Sequence, residues 1–207
     1  MSTLLVGQLR RRRTWKVIVL VIVLGLVVLA HNTTPDKGDF LQPVTVAAGS
    51  DDVATTPDFA ITVDAVQTGG TIAVPSLTSD EKTRLGSSIG WVVVTVTADA
   101  TKSPISLLGM RIKTSDGRTF LASRRDPLSE VDLGTAALSP ELPVRAQVAV
   151  EMPASAVPGA RFEAAKSSFQ ALEAVAAVPL PPATHQDVVT MSREKSLPPG
   201  PVRPESK

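Results

Sequence analysis

The chain has no cysteine, no tyrosine and only two histidines in 207 residues. Without cysteine it has no disulfide, no thiol nucleophile, no zinc–thiolate site and no iron–sulfur cluster. Aromatic residues make up 3%, five Phe and two Trp, so any core must come mainly from Val, Leu, Ile and Ala. Both histidines, His31 and His185, lie outside residues 41–181, which excludes a Ser-His-Asp triad within that stretch. There is no surplus of positive charge: 21 Lys and Arg against 20 Asp and Glu give a net +1, which offers no case for nucleic-acid binding. No glycine-rich phosphate loop is present, and no residue pattern asks for a cofactor.

What the chain does have is 43% apolar residues with 20% charged ones, the balance of a folded domain rather than a disordered chain. The 17 prolines argue against long uninterrupted helices. The charge is unevenly spread. Residues 1–40 hold six basic and two acidic residues, 41–181 eleven and fifteen, and 182–207 four and three. A basic start is therefore joined to an acidic body.

That start has a specific form. Arg10, Arg11, Arg12, Arg13 and Lys16 precede an unbroken apolar run of 14 residues, Val17 to Ala30. As a helix the run spans about 21 Å. Trp15 can extend it into the interface and Lys16 can snorkel. The arginines set the topology: positive charge stays inside, so 1–16 is cytoplasmic and everything after Ala30 lies outside. The run serves equally as the apolar stretch of a signal peptide cleaved after Val28-Leu29-Ala30. Its length favours cleavage, since a span usually needs nearer 20 residues. Its composition, almost all Val, Leu and Ile with no helix breaker, favours an uncleaved anchor, and a transmembrane anchor over 17–30 is the leading expectation. Arg12-Arg13 also matches the pair of a twin-arginine signal, as any four-arginine run does.

Residues 31–40 are polar, with Pro35 and Gly38, and read as a linker; Asn32-Thr33-Thr34 is formally a glycosylation sequon. From residue 41 short β-type runs alternate with turns. Val44 to Val46 is a first strand. Phe59, Ile61, Val63 and Ala65 alternate with polar or small residues, and Gly69-Gly70 is expected to end that strand. Ile89 to Thr97, apolar on both parities, predicts a central strand covered on both faces. Strands follow at 105–113, at 119–122 after an Asp116-Gly117 turn, and at 144–151, which Met152-Pro153 stops. The last two are at 160–164 and 171–178. Residues 76–88, with Ser79 as N-cap and Gly86 as stop, suggest one helical turn or a loop. This pattern predicts an all-β fold, an immunoglobulin-like antiparallel β-sandwich over 41–181, preceded by one N-terminal transmembrane helix. Trp91 is expected as the buried core aromatic. Residues 182–207, rich in proline, are expected as an extended, disordered tail.

These residues carry a resemblance. Val92, Val94, Thr95 and Val96 form a V-x-V-T-V strand, followed by Asp116-Gly117-Arg118-Thr119-Phe120. Leu138-Ser139-Pro140, Met152-Pro153 and Pro158-Gly159 complete the pattern. Together they resemble the telokin-like, immunoglobulin-type domain of unknown function found in Gram-positive, actinobacterial surface and secreted proteins. That domain is related to the sandwich of the mycobacterial secreted immunoprotective antigen. The high usage of Ala, Val, Pro and Arg resembles the same source. The resemblance spans about residues 44–180 and implies an exported domain of accessory or binding type, with no catalytic residues to carry over.

Three local patterns invite chemistry. Ser79-Asp80-Glu81-Lys82 has the S-x-x-K spacing of serine–lysine acylases, but Asp80 and Glu81 would keep the lysine charged and no partner motif follows. Asp51-Asp52 and the group Asp126, Glu130 and Asp132 lack the alternating oxygen spacing of a calcium loop. Arg124-Arg125 could meet an anionic polymer or lipid headgroup, or simply pair locally. The reading that follows is a non-catalytic, single-pass membrane protein with its C-terminal domain outside. Its expected partners are the cell membrane and another membrane or envelope protein, as in an accessory subunit of a transport or assembly complex. A cleaved, secreted ligand-binding protein is the alternative, and a serine–lysine hydrolase the third.

Overall fold

In a computed structural model the described residues are 19–25, 43–76, 82–128, 131–167, 173–193, 195–197 and 202. The chain divides into two compact units, Met1–Gln42 and Pro43–Lys207. In the first, residues 19–25 are helical. No helix among the described residues is long and apolar enough to cross a membrane. The expected span at 17–30 is described only in its middle. Arg10 to Arg13, Trp15, Lys16, Val17, Ala30 and the linker lie outside the described residues.

The second unit holds twelve described strands in two sheets. One sheet runs β1 (Val44–Ala47), β9 (Ala174–Pro179), β8 (Arg161–Ala165), β5 (Gly109–Lys113) and β6 (Thr119–Leu121). The other runs β10 (Thr184–His185), β3 (Phe59–Pro75), β4 (Lys82–Ala100), β7 (Val144–Glu151) and β12 (Lys195–Ser196). Two further strands, β2 (Ala54–Thr55) and β11 (Val188–Thr190), also pair with β3. The central pairs are antiparallel, as expected, but β1 runs parallel to β9, and β10 and β11 run parallel to β3. The sandwich is therefore antiparallel within and mixed at its edges.

Period-two alternation decides what meets what. Val92, Val94, Val96 and Ala98 of β4, with Ala146, Val148 and Val150 of β7, turn toward Met110, Ile112, Phe162, Ala164, Ala176 and Val178 of the opposite sheet. This is the main core, and each fully buried Val or Ile in it contributes about 1.5–3 kcal/mol. The opposite parity of β4 builds a second core. Trp91 and Val93 lie there with Ile72, Val74, Ala149, Leu128, Val131, Val189 and Met191. Both faces of β4 are thus covered, as its apolar run predicts. Trp91 is fully buried, but on the outer side of its sheet. Phe59 and Phe162 are the aromatics of the main core.

Two expectations at the β3–β4 hairpin are corrected. Gly69-Gly70 does not end β3: the strand shifts register between Gly69 and Thr71 and continues to Pro75. Residues 82–86 are not a helical turn but the first part of β4, paired with 71–75. Ile72 and Val74 explain this, because their burial against the second core outweighs the turn signals around them.

The largest correction concerns the tail. Residues 184–197 are not a disordered extension in their described part. They form a strap across the outer face of the second sheet. Gln186 N–H donates to the Thr68 carbonyl, and β11 pairs with Thr71–Ala73. Ser192 N–H donates to Gln147 Oε1 on β7 at 2.7 Å, and β12 then closes the β7 edge. Val202 is buried, and its N–H bonds the Asp99 carboxylate. Val188-Val189-Thr190 is β-branched, and Val189 and Met191 are buried in the second core. Those apolar residues offset the ordering cost that the prolines and polar residues suggested would win.

Candidate functional site

A groove of about 540 Å³ opens at one end of the five-stranded sheet. Its walls come from residues 107–111, the end of β6 with Ala122 and Arg124, and a 3₁₀ turn, Leu133–Thr135. Leu108 and Leu121, which line it, are 49% and 71% exposed, and Arg111 and Arg124 stand with them.

Each polar group at the groove has a local cause. Asp132 caps the 3₁₀ turn: its carboxylate accepts from the Gly134 N–H, and the Thr135 hydroxyl donates to the Asp132 carbonyl at 2.9 Å. Glycine at 134 leaves that carboxylate in place, because a Cβ would stand 2.8 Å from Asp132 Oδ1. Burial raises the Asp132 pKa, while the Gly134 and Thr135 N–H groups and the charge of Arg124 pull it back part of the way. Arg124 donates to the Leu108 carbonyl at 3.2 Å.

Beside the groove, Arg111 Nε donates to Glu163 Oε2 at 2.6 Å and Arg161 Nε to Glu163 Oε1 at 2.8 Å. Burial alone would raise the Glu163 pKa. The hydrogen bonds and charges of the two arginines outweigh it and hold the carboxyl below its usual range. Arg111 spends Nε on Glu163, and its guanidinium carries four further N–H donors.

The arrangement suits binding. Its apolar side chains can cover an apolar body, and its guanidinium groups can donate to an anionic oxygen. Among the described residues that line it there is no serine, cysteine, lysine or histidine.

The patterns singled out in the sequence are scattered. Ser79 lies outside the described residues, and Lys82 is exposed on β4 opposite Pro75. Asp51 Oδ1 accepts from Val53 N–H at 3.4 Å within a turn. Glu130 lies outside the described residues, and among those described no cluster of three acidic or histidine residues could hold a metal. The two adjacent arginines diverge. Arg124 joins the groove, whereas Arg125 pairs with Glu151 at 2.7 Å and lies over the Trp91 ring. His31 lies outside the described residues. His185 is not in a free tail but on β10, with Nδ1 3.2 Å from Thr68 Oγ1. The Glu163 triad was missed. Arg161-x-Glu163 did signal two charges on one strand face, but only the β5–β8 register brings in Arg111.

No protein-family model matches the chain, and no curated protein matches it. Among solved structures it is similar to an uncharacterized beta-sandwich protein from Clostridium difficile 630. The identity is 11% and the TM-score 0.40, over 70% of this chain and 99% of that one. The chain is a β-sandwich on the sheets described above.

Proposed function

We propose that the protein is a membrane-anchored extracytoplasmic binding protein. Its sandwich is non-catalytic and presents the groove to another membrane or envelope component. One observation carries the anchor. Six consecutive large apolar residues, Val19 to Leu24, are helical and 43–64% exposed, and in the sequence five residues separate them from Arg10 to Arg13. Such a surface calls for an apolar environment, and the arginines orient it with 1–16 in the cytoplasm. The strand order supports the immunoglobulin-like resemblance. β3, β4 and β7 stand as strands A, B and E, and β5, β8 and β9 as C, F and G. The non-catalytic reading rests on the groove's residues and on the exposure of Lys82, which a serine–lysine mechanism would need buried.

Fractionation of the producing cell, with mass determination of the mature N-terminus, tests this. A chain that begins at Met1 or Ser2 and stays in the membrane after an alkaline wash is expected. A chain that begins at His31 and appears in the medium would overturn the anchor and leave the secreted alternative.

A further inference from the structure

We infer that the outer edge of β1 is a self-association surface. A second copy of this chain adds its own β1 there, antiparallel, and continues the five-stranded sheet across a two-fold axis at Val46. The backbone points to it first. Val44 N–H donates to the Glu173 carbonyl and Ala48 N–H to the Ala177 carbonyl. β1 lies parallel to β9, so Val44, Val46 and Ala48 turn their N–H and C=O groups toward β9. Thr45 and Ala47 turn theirs the other way, and β1 is the last strand of its sheet. Among the described residues those outward groups have no hydrogen-bond partner.

A strand so arranged is its own complement. With Val46 facing the partner's Val46, Thr45 stands opposite the partner's Ala47 and Ala47 opposite the partner's Thr45. Each of these pairs exchanges both N–H···O bonds, so every outward group of β1 is satisfied. The neighbouring registers fail. Centring on Thr45 sets Ala47 against the partner's Pro43, which has no N–H. Centring on Ala47 sets Thr45 against the partner's Gly49, and the Gly49 N–H is spent on the Val53 carbonyl. In the register that remains, Val44, 63% exposed, meets the partner's Ala48.

The composition of the edges selects a second copy over a foreign strand. No charged residue lies between Pro43 and Ser50. Nothing there repels an identical strand, and no charge is present by which another could be chosen. The other edges are guarded. β3 is paired by β2, β10 and β11, and β7 by β12 and by Ser123 N–H on the Ala149 carbonyl. β6 is three residues long, bounded by the Arg118–Asp116 ion pair and by the crossing to β7 at Ala122. The four-residue edge of β1 falls short of the roughly 1,200 Å² of a stable interface, so the dimer forms and parts with concentration. The inference does not rest on the anchored reading.

The absence of native cysteine makes the test direct. Val46→Cys and Leu121→Cys are made singly in the full chain, which is expressed in the producing cell, extracted in detergent and mildly oxidised. Leu121, 71% exposed on the opposite edge of the same sheet, controls for chance collision. Across the axis the Val46→Cys side chains face each other at a non-hydrogen-bonded site, with Cβ atoms roughly 4.5–5.5 Å apart, close to disulfide reach. Val46→Cys is expected to form a disulfide dimer several-fold faster than Leu121→Cys. Thr45→Pro removes an outward N–H that β9 does not use. Added to Val46→Cys, it should abolish that advantage while Trp91 emission stays native. Where Val46→Cys does not fold, a mixture of Thr45→Cys and Ala47→Cys chains, both at exposed positions, replaces it. The mixture should give the mixed dimer faster than either variant gives its own. Cross-linking of Val46→Cys no faster than that of Leu121→Cys would overturn the inference. A dimer indifferent to Thr45→Pro would also overturn it and place the contact elsewhere in the chain. So would a Val46→Cys product whose mass is not that of two chains, which would give the edge to another protein's strand.

Discussion

Glu163 is buried between Arg111 and Arg161, and both its oxygens are engaged. Its carboxyl titrates below the usual range because the two guanidinium groups outweigh the cost of burial. Its stabilising contribution is therefore complete above the unfolded value of about 4.3 and is lost as pH falls through the lowered folded value. Glu163→Gln keeps the shape and removes the charge. We expect it to cost about 1.5–3 kcal/mol near neutral pH, the range for a hydrogen bond to a charged group. In urea titrations the gap to the parent protein should narrow as pH drops below about 4. A gap that stays constant with pH would assign the role to packing. Asp99 and Asp132 act in the opposite sense. Burial raises both, so each favours the fold while protonated and loses that contribution as pH rises through its raised folded value. Gly134→Ala would place a Cβ 2.8 Å from Asp132 Oδ1, so it should displace that carboxylate and narrow the groove. A shift in the emission of a polarity-sensitive dye on Leu108→Cys, relative to the same label without the Gly134 change, would show it. At this scale the sequence was informative about one exclusion, since a chain without cysteine has no thiol chemistry; the placing of both histidines outside the domain did not hold, because His185 lies on β10 of the sandwich. The Glu163 triad was not legible, because two of its members lie on strands that meet only through tertiary register.

Among the elements, the strap behaves unlike its sequence. Proline and polar residues suggested an extended chain, yet β10, β11 and β12 pair along β3 and β7. What the composition hid was the contribution of a few apolar anchors, Val189, Met191 and Val202, set at intervals among residues that stay exposed. Gly69 makes the docking possible. A Cβ at that position would stand 2.5 Å from the Gln186 carbonyl oxygen and 3.0 Å from Val189. Gly69→Ala should therefore loosen the strap at a cost of about 1–3 kcal/mol, typical of overpacking. Limited trypsin digestion checks it: cleavage after Arg193 and Lys195 should speed up in the variant while the sandwich stays intact. In the sequence the same Gly69-Gly70 pair has the look of a strand end. It is instead a point where β3 changes register and continues, because a close-approaching backbone needs glycine as much as a turn does.

At the scale of the whole molecule, local alternation was enough to give the class of fold and the central place of β4. It could not give the order of strands. β1 joins β9 across more than 120 residues of sequence, and no local pattern encodes that pairing. Nor could the groove be read, since its walls come from the starts and ends of elements far apart in the chain. Trp91, inside the second core with no partner for Nε1 among the described residues, is the fluorophore of the folded unit. Its emission should be blue-shifted in the native state and should red-shift in one step with global unfolding if the two cores melt together. A separate early step would show that the strap and its core come away first. Val44, where β1 begins beside the start of β9, and Val202, whose N–H bonds Asp99 one residue from Ala100, both lie toward one end of the sandwich. The β5–β6 turn at Asp116-Gly117 lies at the far ends of those strands. The order of segments along the polypeptide is thus a choice the fold does not enforce. A rearranged gene that joins position 202 to position 43 by a flexible bridge, and opens the chain at 116–117, should yield the same sandwich with its free ends at the opposite end.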